Sequence, residues 1–238
     1  MEIKVVTFEN YDEALLEGFR PIYEEAFPDK DEKEPYENIL DRISVPGSKP
    51  GTAACLLTDA GDAVAGLLAD WYEFRSREVY DLELIYLAVR RDRREQGLGR
   101  LLLTRGLEEM MKEIDALLPL RLRNIYFETE DPAKVKTSSV DPSRRLSFFR
   151  PLSARTVPVG YRQPPLDTRG RWTDRLLLMA FPKPGKGPEE RLDADELKEF
   201  LTAFYMGLNV AEKERYDEFE REIDIVKNKD GTIRLQKF

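Results

Sequence analysis

The sequence predicts a mixed α/β fold of the α+β kind, extended at its C-terminal end by helices. Three stretches carry that reading. Residues 82–89 form a short, mostly apolar run suited to a buried central strand, and it leads through a glycine-bearing turn into a long amphipathic helix. Residues 52–58 and 63–74 read as two strands joined by Asp59-Ala60-Gly61-Asp62, whose Gly and Asp residues suit a hairpin. Beyond Pro188, Leu197, Phe200, Leu201, Phe204 and Tyr205 recur at helical spacing.

Taken in order, residues 3–8 alternate as a first strand, and a helix follows from Tyr11 to about Ala26, where Pro28 stops it. A second short helix holds Tyr36, Ile39, Leu40 and Ile43 before Pro46-Gly47 and Pro50-Gly51. The hairpin and central strand come next. In the long helix Leu103, Leu107, Met110, Ile114 and Leu117 form the face laid on the sheet. Residues 120–128 supply another strand, completing a strand, helix, parallel strand crossover of the usual right hand. A polar loop over 131–142 leads to a short helix over 143–151, with Leu146, Phe148 and Phe149 as its apolar face. Strands over 156–161 and 174–181, separated by Gln163-Pro164-Pro165-Leu166 and a glycine-containing loop through Trp172, fill the sheet.

Residues 182–188, rich in Pro, Gly and Lys, read as a linker. The chain therefore divides into a domain over 1–182 and an extension over 183–238. Besides its apolar stripe, the extension shows a second helix over 212–223 and a turn at Asn228-Lys229-Asp230-Gly231 suited to a hairpin. The stripe must be covered, by the chain's own core or, in a homodimer, by a second copy.

With 238 residues, 41% of them hydrophobic, the chain can build a sizeable core. A net charge of −8 without a basic tract argues against general affinity for nucleic acid. No apolar run is long enough to span a bilayer and no signal peptide is evident, so the expectation is a cytoplasmic protein that does not bind membranes. The single cysteine, Cys55, sits in an apolar strand with no nearby base, which argues against an acyl-cysteine route. Histidine is absent altogether. That removes Ser-His-Asp and Cys-His nucleophilic machinery and histidine-based metal sites, so no metal is expected and chemistry falls to carboxylates, tyrosines and backbone.

The junction Arg94-Glu95-Gln96-Gly97-Leu98-Gly99-Arg100 is the informative motif. Its glycines let the backbone turn tightly and leave its N–H groups uncovered, at a helix N-terminus suited to phosphate or pyrophosphate. No Gly-Lys-Ser/Thr follows, and Leu102 stands where a dinucleotide fingerprint expects its third glycine, so the nucleoside triphosphate and nicotinamide readings drop away. The segment resembles instead the GCN5-related N-acetyltransferase (GNAT) superfamily, whose signature, Arg/Gln-x-x-Gly-x-Gly/Ala after a central strand, is filled by Arg94, Gly97 and Gly99. The order of elements over roughly 1–182 is similar to that family's.

The resemblance implies a mostly antiparallel twisted sheet with flanking helices and a central β-turn-α site for coenzyme A. It implies acetyl-CoA as cosubstrate, with Arg94, Gln96, Gly97, Leu98, Gly99 and Arg100 at the pyrophosphate and the backbone of Leu87 and Val89 at the pantetheine arm. By strand register it makes Glu83 the general-base candidate, and a carboxylate in an apolar strand normally has a partner or a job. The alternative for Glu83 is a salt bridge at the sheet surface. Where many members carry a catalytic tyrosine this sequence has Phe149, which leaves Tyr161 and Tyr86 as the phenols to test, core packing being the other role for each. Residues 27–34 are a candidate acceptor-side loop, or simply a solvated one. The expected activity is direct acetyl transfer to an amine of a small molecule or peptide. A protein lysine or N-terminal acetyltransferase and a non-catalytic acyl-CoA-binding sensor are the alternatives.

Overall fold

The computed structural model describes residues 1–29, 33–136, 140–166 and 171–238, which fall into two compact units, Met1–Arg123 and Asn124–Phe238. Parts of the expected loops at 27–34, 131–142 and around Gly170 lie outside the described residues. The fold is mixed α/β with mostly antiparallel strands and flanking helices.

In the first unit β1 (Glu2–Val6), β2 (Gly51–Asp59), β3 (Asp62–Phe74) and β4 (Val79–Val89) pair antiparallel in chain order. Nearly every side chain of β2 and β3 is buried on both faces, which is why these strands read as continuous apolar runs. Helices α1 (Glu13–Ala26) and α2 (Tyr36–Ser44) cover one face, where Leu16, Phe19, Ile39 and Ile43 pack with Ala54, Leu56, Leu68 and Tyr86. Asp12 caps α1 by accepting from the Leu15 N–H at 3.0 Å. A Cβ at Gly66 would meet the Phe19 ring and Leu56 at 2.6 Å, so glycine is what lets α1 lie this close to β3.

The long helix of the crossover is built in three pieces. It opens as α3 (Leu98–Leu101), widens to one π turn over Leu102–Gly106 and continues as α4 (Leu107–Leu117). The hydrophobic spacing alone predicted a regular helix. At the π turn Gly106 rests on β2, where a Cβ would stand 3.0 Å from the Cys55 sulfur.

The second unit holds most of β5 (Arg121–Glu130), whose antiparallel neighbour is β7 (Leu176–Phe181), itself paired with β6 (Arg155–Thr156). Strand β6 has two residues where six were expected, because from Val157 to Tyr161 the chain makes tight turns: the Val159 and Tyr161 N–H groups donate to the carbonyls of Val157 and Val159. The short helix α5 (Pro142–Phe149) lies where the spacing placed it and is capped by Asp141.

Residues beyond Pro188 pack within this same unit. Helix α6 (Ala194–Gly207) buries the whole predicted stripe, with Phe200 stacked on Tyr126 of β5 at 4.1 Å between ring centroids. Helix α7 (Lys213–Val226) adds Phe219 against Tyr205. The Asn228–Gly231 turn does not close a local hairpin. It leads from α7 into β9 (Thr232–Arg234), whose partner is the distant β8 (Arg191–Asp193), and Gln236 then bridges Thr156 through two backbone hydrogen bonds.

Candidate active site

Strand β4 and the turn after it place most of the sequence-predicted residues in one unit. Gly97 has φ +79°, a left-handed conformation that favours glycine, and open space lies where its Cβ would be. Its carbonyl accepts from the Leu101 N–H at 2.9 Å, the first hydrogen bond of the helix. The N–H groups of Leu98, Gly99 and Arg100 thus precede that bond, with the positive end of the helix dipole behind them. Glu95, also at positive φ, completes the turn, and Gln96 donates to the Asp92 carbonyl at 3.4 Å. Arg94 and Arg100 are exposed, and Arg94 Nε reaches back to the Val89 carbonyl at 3.1 Å.

The preceding strand has a telling register. Arg90 donates its N–H to Val64, and hydrogen-bonded pairs alternate along an antiparallel ladder. The pairs Ala65–Val89 and Leu67–Leu87 are therefore of the other kind, and Leu87 and Val89 turn their N–H and C=O groups away from β3. Both residues are half-buried, within reach of solvent. Between Leu68–Tyr86 and Ala69–Leu84 the register shifts at a bulge on β4, centred on Ile85. An uncovered helix start with two arginines, next to outward-turned backbone, fits the pyrophosphate and pantetheine of acetyl-CoA.

Below the bulge lies a buried polar cluster that composition did not reveal. Glu83 is 3% exposed and accepts from the Tyr72 hydroxyl at 2.8 Å. Directly across the strand pair stands Asp70, also buried, which accepts from Thr52 at 2.6 Å and from Arg42 at 3.4 Å. Arg42 reaches in from α2 and grips Glu34 with both terminal nitrogens at 2.5 and 2.8 Å, a bidentate pair. Burial pushes the Asp70 carboxyl up to about 6 against the pull of Arg42. Burial and the neighbouring carboxylates raise the Tyr72 phenol well above its ordinary range. Two residues along β4, Asp81 forms a buried ion pair with Arg123 at 2.6 and 3.0 Å, and the Arg123 guanidinium lies 4.2 Å over the Phe74 ring.

The remaining predicted residues stand in other settings. Tyr86 is ringed by Tyr23 and Phe27, accepts from the Glu34 N–H at 3.0 Å and is pushed up by burial. Glu34, whose carbonyl also accepts from the Tyr23 hydroxyl at 2.8 Å, is thereby tied to α1, α2 and β4 at the end of the 27–34 segment. Tyr161 belongs to the second unit, where it and Gln163 donate to the two oxygens of half-buried Glu128, the latter at 2.6 Å. Burial pushes Glu128 up to about 7. Phe149 packs on Phe127, ring centroids 4.4 Å apart. Burial pushes the Cys55 thiol up to about 12. The sequence did contain one signal for the polar cluster: Asp70 and Glu83 are carboxylates flanked by apolar residues in largely apolar strands.

Residues 13–125 match the family model described as Acetyltransferase (GNAT) family. Those residues are a GNAT acetyltransferase domain. A Bacteroides thetaiotaomicron protein described as a GNAT-family acetyltransferase shares its fold, with a TM-score of 0.54 at 16% identity over 90% of this chain and 100% of that one. The ribosomal-protein-S18-alanine N-acetyltransferase of Escherichia coli is similar at TM-score 0.47 and 18% identity, covering 78% of this chain and 97% of the other. An aminoglycoside 6'-acetyltransferase type Ii is similar at TM-score 0.47 and 19% identity, covering 77% and 100%. No curated protein matches by sequence. Among the described residues no helix is long and apolar enough to cross a membrane, and no cluster of Cys, Asp and Glu is arranged to hold a metal ion.

Proposed function

We propose that this GNAT protein moves the acetyl group of acetyl-CoA directly onto a primary amine of a small molecule or peptide, within a ternary complex. The observation that carries the reading is the Gly97 turn, whose left-handed glycine opens the helix with uncovered N–H groups beside Arg94 and Arg100. Bound acetyl-CoA supplies an activated thioester carbonyl. Leu98, Gly99 and Arg100 hold its pyrophosphate by their N–H groups, Gln96 and Gly97 shape the turn, and the Leu87 and Val89 backbone takes the pantetheine arm and polarises the carbonyl.

Glu83 accepts the proton that an ammonium acceptor must lose, directly or through a water, and Tyr72 orients the carboxylate that does so. A buried Cys55 thiol pushed up to about 12 is a poor nucleophile, which favours direct transfer over an acyl-enzyme. Tyr161 and Tyr86 are the phenols proposed to return a proton to the departing thiolate. Residues 1–182 are the proposed catalytic domain and 183–238 its extension.

The test is thiol release from acetyl-CoA against a panel of amines and peptides, with product mass read in parallel. The reading expects thiol release that depends on an acceptor and one acetyl group on the product. The buried setting of Phe149 keeps a second reading in view, a sensor that binds acyl-CoA without turnover. Tight coenzyme A binding with no acceptor across the panel would favour it.

A further inference from the structure

Two carboxylates rarely face each other across a buried strand pair, because like charges directly opposite are destabilising. Here Asp70 of β3 and Glu83 of β4 are register partners and both are buried. Resting on the reading of Glu83 as the base, we infer that Asp70 is a positioning residue: its charge raises the affinity of Glu83 for a proton, and Arg42, held by Glu34, sets how strongly it does so. Glu34 is thereby linked to the base through Arg42 and Asp70.

Several groups of the first unit surround the pair. From α2 comes Arg42; from the segment before it, Glu34; from β2, the Thr52 hydroxyl. Strand β3 adds Tyr72, and β4 adds Asp81 with its partner Arg123. Arg42 is the cation on Asp70, and Glu34 takes both of its terminal nitrogens at shorter range than Asp70 takes one. Asp70 is thus left only partly neutralised. A carboxylate beside a partly neutralised carboxylate titrates late, as one step of a coupled pair.

This arrangement suits an amine acceptor. A base that holds its proton near neutral pH can take one from an ammonium and release it to solvent, whereas an ordinary glutamate would be too weak. Opening of the Arg42–Glu34 grip would free Arg42 for Asp70 and lower the proton affinity of Glu83.

The test is carboxyl 13C NMR of glutamate-labelled full-length protein titrated with pH, the Glu83 resonance being assigned by its loss in Glu83→Gln. In Asp70→Asn the Glu83 midpoint should fall by at least about one pH unit, as expected for removing a like charge from the buried cross-strand partner. Glu34→Gln, which alters a half-buried side chain at a loop end and keeps the network testable if Asp70→Asn does not fold, should lower the midpoint by a smaller amount. Unchanged midpoints in both folded variants, or in Glu34→Gln alone where Asp70→Asn is unfolded, would overturn the inference. The turnover of Glu83→Gln reads the other question separately: wild-type kcat there would end the role of Glu83 as base, while shifted midpoints would still establish the coupling to Asp70.

Discussion

The Tyr72 hydroxyl donates to Glu83 at 2.8 Å from the neighbouring strand, fixing the orientation of a buried carboxylate. If Glu83 is the base, Glu83→Gln should lower kcat by about 10²–10⁴-fold near neutral pH with little change in coenzyme A affinity. Tyr72→Phe removes only the orienting bond. A hydrogen bond to a charged group is worth about 1.5–3 kcal/mol, so kcat should fall by about 10–100-fold, as steady-state kinetics at saturating acetyl-CoA would show.

Cys55→Ala should keep the wild-type rate, because a buried thiol whose pKa is pushed up to about 12 supplies almost no thiolate. Intact-mass spectrometry of wild type incubated with acetyl-CoA alone should show no acetyl adduct. An adduct lost in Cys55→Ala would point to a covalent route.

Asp81 and Arg123 form a fully formed pair with almost no exposure. Arg123→Met leaves the carboxylate buried beside an apolar side chain and should cost about 3–5 kcal/mol of stability by urea unfolding. Adding Asp81→Asn should recover a large part of that loss, since the penalty lies in a buried charge that has lost this cation.

Glu128 gives a pH dependence of unusual sign. Its carboxyl rises from an ordinary 4.5 to about 7 on folding, so the folded protein binds this proton more tightly than the unfolded chain does. The group therefore costs nothing below about pH 4.5, costs progressively more up to about pH 7, and has its full cost above that. Glu128→Gln should raise the melting temperature at pH 8, by about 1–3 kcal/mol in stability, and leave it near wild type at pH 4.5.

Much of the fold was legible because its signals are local. The apolar runs and turn at Asp59–Asp62, the stripe from Leu103 to Ile114 and the Gly97-Leu98-Gly99 junction depend on neighbouring residues, and the elements stand where these placed them. Strand β6 was overcalled because Thr156–Tyr161 has strand-like composition while its hydrogen bonds close turns. Strand β8 was missed because three residues paired with a segment some forty positions on carry no local signature. At the candidate site Glu83 could be picked out as an odd carboxylate. Asp70 carried the same signal, but its pairing with Glu83 and the parts of Tyr72, Arg42 and Glu34 could not be read, since cross-strand register and the reach of α2 bring them together.

Calorimetric titration of coenzyme A into wild type, Gly97→Asn and Gly97→Val tests whether the Gly97 turn holds coenzyme A. Asparagine tolerates the left-handed conformation better than most residues, whereas a β-branched side chain at φ +79° is strained and would cover the N–H groups. Wild type should bind, Gly97→Asn should bind more weakly, and Gly97→Val should lose at least about 10-fold in affinity, or about 1.4 kcal/mol, with its circular dichroism unchanged. Wild-type affinity in a folded Gly97→Val protein, or no binding by the wild type, would contradict the account.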